Sequence, residues 1–75
     1  MRELEDELAE AEKRIAKGAE AIRKQQAIIA RLQRRGKDIS AARKLLGELH
    51  AAQLKLAIEQ DRVRKALAKV IGSSA

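Results

Sequence analysis

The 75-residue chain has no cysteine, no proline, no phenylalanine, tyrosine or tryptophan, and a single methionine and a single histidine. Without cysteine there is no disulfide scaffold, no thiolate metal site and no thiol nucleophile. Without aromatic rings, unstacked nucleic-acid bases have no platform to lie on except His50. No run of about 18 apolar residues occurs, and the first residues are acidic rather than basic. Neither a membrane span nor a secretory leader is therefore expected, and the expected location is cytoplasmic. Bulky apolar side chains are also scarce. Hydrophobic residues make up 45% of the chain, but 15 of them are alanine, leaving nine leucines, seven isoleucines, two valines and Met1. A closed globular core cannot be built from so little.

What is present is period. Leu4, Leu8, Ala11, Ile15, Gly18, Ile22, Gln25, Ile29 and Leu32 follow an unbroken 4-3 alternation. Ile39, Ala42, Leu46, Leu49, Gln53, Leu56, Gln60, Val63, Leu67 and Val70 follow it again. Such spacing is the heptad seam of packed helices, and no strand-like period of two competes with it. Between the two runs, Gly36 is placed to end one helix in the left-handed conformation. Asp38 can cap the next, with Ser40 as the alternative cap. The expectation is an all-α, antiparallel, coiled-coil-like two-helix hairpin: helix 2–35, turn 36–37, helix 38–71, and a flexible tail over 72–75.

Folding about the turn sets Gly18 against Leu56, Ala11 against Val63, Ile22 against Ala52 and Leu32 against Ala42. Small then faces large at most levels. The acids Glu3, Glu5, Asp6, Glu7, Glu10 and Glu12 come alongside Arg62, Arg64, Lys65 and Lys69. Gln25, Gln53 and Gln60 occupy seam positions, and the expectation is that they bond one another and penalise slipped pairings. Gly18 in mid-helix costs about 1 kcal/mol against alanine. Close approach of a neighbouring helix is its expected compensation.

A two-helix hairpin still shows an apolar flank to water. Helix one widens through Ala16, Ala19, Ala21, Ala27, Ile28 and Ala30, and helix two carries Leu45, Leu54 and Ile58 off its seam. Self-association is expected there, most simply as a two-fold dimer forming a four-helix bundle, with Gly18, Ile22, Ile28, Leu54 and Ile58 as the contact residues.

The residues Leu8, Ala11, Glu12, Ile15, Ala16, Gly18, Ile22, Gln25, Ile28, Ile29, Leu32, Gly36, Asp38, Ala42, Leu45, Leu46, Gln53, Asp61 and Arg62 form a further pattern. It resembles a group of small uncharacterised helical-hairpin proteins of rhizobia and related alphaproteobacteria, over most of the chain from Leu8 to Leu67. The chain departs from that pattern at Ile39, Leu49 and His50, where a threonine, an aromatic and an acid are usual. The resemblance implies the hairpin fold and a bacterial cytoplasmic origin. It implies no mechanism.

Catalytic constellations are missing. His50 is followed by Ala51 and Ala52, whereas the phosphorylated histidine of sensor-kinase dimerisation domains is typically followed by an acid. Glu48 and His50 diverge on a helix, and no Glu-x-x-His motif of a di-iron bundle occurs. Carboxylate pairs such as Glu3 with Glu7 lie in the acidic first turns, where the helix dipole accounts for them. No Ser/His/acid set, glycine-rich phosphate loop or dinucleotide fingerprint is present. The expectation is a non-enzymatic protein with no cofactor, no metal and no small-molecule substrate.

Charge gives the strongest functional lead. Of the net +6, residues 13–44 alone carry 11 bases against 2 acids. Arg31, Arg34, Arg35, Lys37, Arg43 and Lys44 cluster around the turn. The helix dipole disfavours Arg43 and Lys44 near the start of a helix, which points to an anionic partner. The leading expectation is a self-associating protein–protein interaction module, an adaptor or regulator. The alternative is a Rop-like basic bundle that holds the backbone of RNA or DNA at the turn, with no base readout.

Overall fold

The computed structural model describes residues 2–74; Met1 and Ala75 lie outside the described residues. Two α-helices, α1 (Arg2–Arg34) and α2 (Ser40–Ser74), lie against each other as an antiparallel hairpin. The result is a rod of 61 × 14 × 14 Å. The 4-3 seam explains the pairing. Every seam residue of α1 from Leu4 to Leu32 is buried or half-buried, as is every one on the second strand of the seam from Ile39 to Leu67. Only Val70, near the open end, is exposed.

The turn follows from its chemistry. Gly36 adopts φ 68°, which only glycine takes readily. Its N–H donates to the Gln33 carbonyl at 3.0 Å, and the Lys37 N–H reaches back to the Leu32 carbonyl at 2.9 Å. These two bonds are the paired closure that ends a helix on a left-handed glycine. The carboxylate of Asp38 then accepts from the Ser40 backbone N–H at 3.0 Å and the Ser40 hydroxyl at 2.7 Å, capping α2.

The boundaries differ from the sequence expectation. α1 stops at Arg34, because Arg35 already belongs to the turn, and α2 begins at Ser40 rather than at residue 38. Lys37, Asp38 and Ile39 are needed to cross between the helices. At the far end α2 runs through Gly72 to Ser74, where a flexible tail from 72 was expected. Gly72 is not in the left-handed region, so nothing stops the helix there.

Register also differs. The side chain packed over Gly18 is that of Gln53, one turn nearer the loop than Leu56. Non-helical residues advance more than twice as far per residue as helical ones. The crossing therefore cannot be placed by counting equally from the turn.

The hairpin encloses very little. Ala11 and Val63 are its only buried apolar residues among those described, Gln25 is its one buried polar residue, and no side chain is fully buried. A compact protein of 8.3 kDa exposes about 4,600 Å². This chain exposes 5929 Å².

Candidate interaction surfaces

The seam's polar residues act on the backbone rather than on one another. Gln25 Nε2 donates to the Ala42 carbonyl at 2.9 Å, and Gln53 Nε2 donates to the Ile15 carbonyl at 2.7 Å. Both bonds cross between the helices, and each adds a second donor to a carbonyl placed inside a helix. The expected bonding of Gln25, Gln53 and Gln60 to each other is thus replaced by side chain-to-backbone clamps, and Gln60 makes no such bond among the described residues. A glutamine side chain reaches across a narrow seam to the opposite backbone more readily than to another amide one or two turns away. The Gln53 Oε1 is buried without a hydrogen-bond partner. It lies in the space that a Cβ at Gly18 would need, and such a Cβ would also stand 2.9 Å from Gln53 Cδ.

This places the first group of expected contact residues. Gly18 and Ile22 are half-buried on the α1 seam, and the open side of Gly18 is filled by Gln53 of the same chain. Ile28 (41% exposed), Leu54 (64%) and Ile58 (55%) are not covered. They form two patches rather than one. Ile28 shares a flank of the hairpin with the exposed Leu45, while Leu54 and Ile58 lie on the side of α2 turned away from α1. Ala51 and Gly47 continue that outer stripe one and two turns toward the loop, and both are exposed. Their 4-3 spacing with Leu54 and Ile58 is legible in the sequence.

The basic cluster is intact at the turn end. Arg31, Arg34, Arg35, Lys37, Arg43 and Lys44 are all exposed, and none forms an ion pair among the described residues. Asp38 is the one acid between them, and Ser40 already holds it. The Ser40 hydroxyl, then its backbone N–H, keep the Asp38 carboxyl below the usual carboxylate range.

The opposite end neutralises itself differently from the expectation. Arg64 pairs with Glu12 across the helices, at 3.9 Å. Arg62 with Glu59 and Lys65 with Asp61 close within α2, at 3.5 and 2.9 Å. Neighbours one turn away on the same helix are fixed in place, so they outcompete partners across the groove. Asp6, Glu7, Glu10, Arg14 and Glu59 instead line an open groove of about 380 Å³ floored by Ala11 and Val63. Among the described residues, no group of three or more His, Asp or Glu side chains could hold a metal ion, and no helix is long and apolar enough to cross a membrane. His50 is exposed.

No family model, curated protein or solved structure matches this chain. Its function is to be read from its own faces and charges.

Proposed function

We propose that this hairpin is a non-enzymatic, self-associating interaction module, acting through protein–protein contacts as a small cytoplasmic adaptor or regulator. The observation that carries this reading is surface. The chain exposes 5929 Å², about 1,300 Å² more than a compact protein of its mass. One partner of a stable interface contributes about 800 Å². Among the described residues, Ile28, Leu45, Leu54, Ile58, Val70 and Ile71 are the large apolar side chains with burial still to gain, and Leu54 and Ile58 are the most exposed of them. A second copy, giving four helices in all, is the simplest source of it. Thermal unfolding followed by circular dichroism tests the reading. A midpoint that rises as the chain is concentrated from about 2 to 200 μM supports association; a midpoint independent of concentration contradicts it.

A second reading has its own observation. The six bases at the turn end have no ionic partner within the hairpin among the described residues. They suit the phosphate backbone of RNA or DNA, in a Rop-like mode without base readout. Fluorescence polarisation with random RNA and duplex DNA at about 100 mM salt tests it. Absence of binding below about 100 μM, the weak end of non-specific affinity, ends this reading.

A further inference from the structure

The outer stripe of α2 is built like a second seam. Gly47, Ala51, Leu54 and Ile58 recur with the same 4-3 spacing as the inner seam, but about 150° around the helix from it. Nothing in the hairpin touches this stripe at Gly47, where an added Cβ would meet no atom within 4 Å. Gly18 is different, because Gln53 fills the space beside it. A glycine inside an exposed helix costs about 1 kcal/mol against alanine, and the hairpin gives Gly47 no return for that cost.

The stripe is complementary to itself when reversed. Laid antiparallel on a second copy, Gly47 faces Ile58, Ala51 faces Leu54, and both pairings repeat on the other side of the two-fold axis. Each layer sets small against large, which lets helices approach closely. Charge agrees with shape. Lys44, which bounds the stripe toward the loop, comes opposite Asp61, which bounds it at the other end. On one flank, Glu48 falls between Lys55 and Arg62 of the other copy. Glu48 and Lys55 have no ion-pair partner within the hairpin among the described residues.

We propose that a second copy of this chain docks antiparallel on the Gly47–Ala51–Leu54–Ile58 stripe, so that α2 packs on α2 at the centre and the two α1 helices lie outside. This rests on the self-association reading and specifies its geometry. In this arrangement the Ile28 and Leu45 flank takes no part, and the basic turns lie on opposite sides of the two-fold axis.

The test is a charge swap read by sedimentation velocity on the full chain. Glu48→Lys and Lys55→Glu each set like charges together twice per dimer, and each is expected to weaken the dimer about tenfold. Combining them is expected to restore most of the affinity. Residues 48 and 55 are two helical turns apart in one chain, so a purely internal role predicts no rescue. Gly47→Gln is expected to keep full helicity and weaken association at least tenfold. Ile28→Gln with Leu45→Gln is expected to leave the dimer unchanged. A wild-type chain that stays monomeric at 200 μM overturns self-association altogether. A wild-type dimer whose swap gives no rescue, or which dissociates with Ile28→Gln and Leu45→Gln but tolerates Gly47→Gln, overturns this geometry alone.

Discussion

Gln53 and Gly18 are coupled across the hairpin: Gln53 reaches the Ile15 carbonyl at 2.7 Å, and its Oε1 lies where a Cβ at Gly18 would stand. The glycine is therefore a condition of the clamp. An ordinary mid-helix glycine gains about 1 kcal/mol on replacement by alanine. Here the added methyl must displace the Gln53 amide, and a hydrogen bond worth about 1 kcal/mol goes with it. Gly18→Ala is expected to be neutral or destabilising in the wild-type chain. In a Gln53→Ala background it is expected to stabilise by about 1 kcal/mol. Chemical denaturation of the four proteins of this cycle checks the coupling, and simple additivity would show that the two residues are independent.

The left-handed turn makes a second prediction. Gly36 at φ 68° tolerates a Cβ sterically, since no atom lies within 4 Å of one, but its backbone conformation does not. Gly36→Ala is expected to cost about 1–2 kcal/mol through the left-handed backbone alone. Gly36→Asn is expected to cost less, because asparagine enters that region more readily. Equal losses from both, measured by denaturant unfolding, would remove the conformational explanation.

Asp38 ties stability to acid pH. Its carboxyl is held below its ordinary value of 3.8 by the Ser40 hydroxyl and then by the Ser40 N–H. A lowered value means the folded state favours the ionised form. Its contribution is complete above the ordinary value and is lost as pH falls through the lower, folded one. Asp38→Ala is expected to lower the thermal midpoint at pH 7, and Asp38→Asn to retain part of the cap. The difference between wild type and Asp38→Asn should shrink as pH falls from 5 toward 2. A difference that is constant with pH would contradict the charged cap.

Charge reversal separates the two functional readings. Arg34, Arg35, Lys37 and Arg43 are exposed, touch no acid among the described residues and lie outside the outer stripe of α2, so changing all four to glutamate is expected to leave the helical content intact. The same variant is expected to abolish any nucleic-acid binding. Wild-type binding, if it runs through this cluster, should fall by orders of magnitude between about 50 and 200 mM salt. Binding that survives the reversal would place the contact elsewhere.

Much of the hairpin was legible because helix periodicity and glycine conformation are local. The 4-3 residues from Leu4 to Leu67 fall on the covered face, and Gly36 and Asp38 serve the turn and the cap they were expected to serve. What escaped depends on side-chain reach and on the path of the connection. The lengths of Gln25 and Gln53 let them seek the opposite backbone instead of each other. The non-helical residues Lys37 to Ile39 moved the register, so Gln53 rather than Leu56 met Gly18. Arg62 and Lys65 chose acids on their own helix over the acidic start of α1. Leu54 and Ile58 stand out in the sequence by being apolar and off the seam, and the structure leaves both exposed. Gly47 and Ala51, being small, carry little hydrophobic signal, so their place in the outer stripe shows only in their spacing.

The central claim is that the chain leaves its burial unfinished and completes it with another copy. Sedimentation equilibrium of the wild-type chain and of Leu54→Asp with Ile58→Asp tests it most directly. The wild type is expected to weigh about twice its 8.3 kDa chain mass at 100 μM, and the variant to weigh about one chain mass while remaining helical. A wild-type chain that sediments as a folded 8.3 kDa monomer at that concentration would contradict the claim.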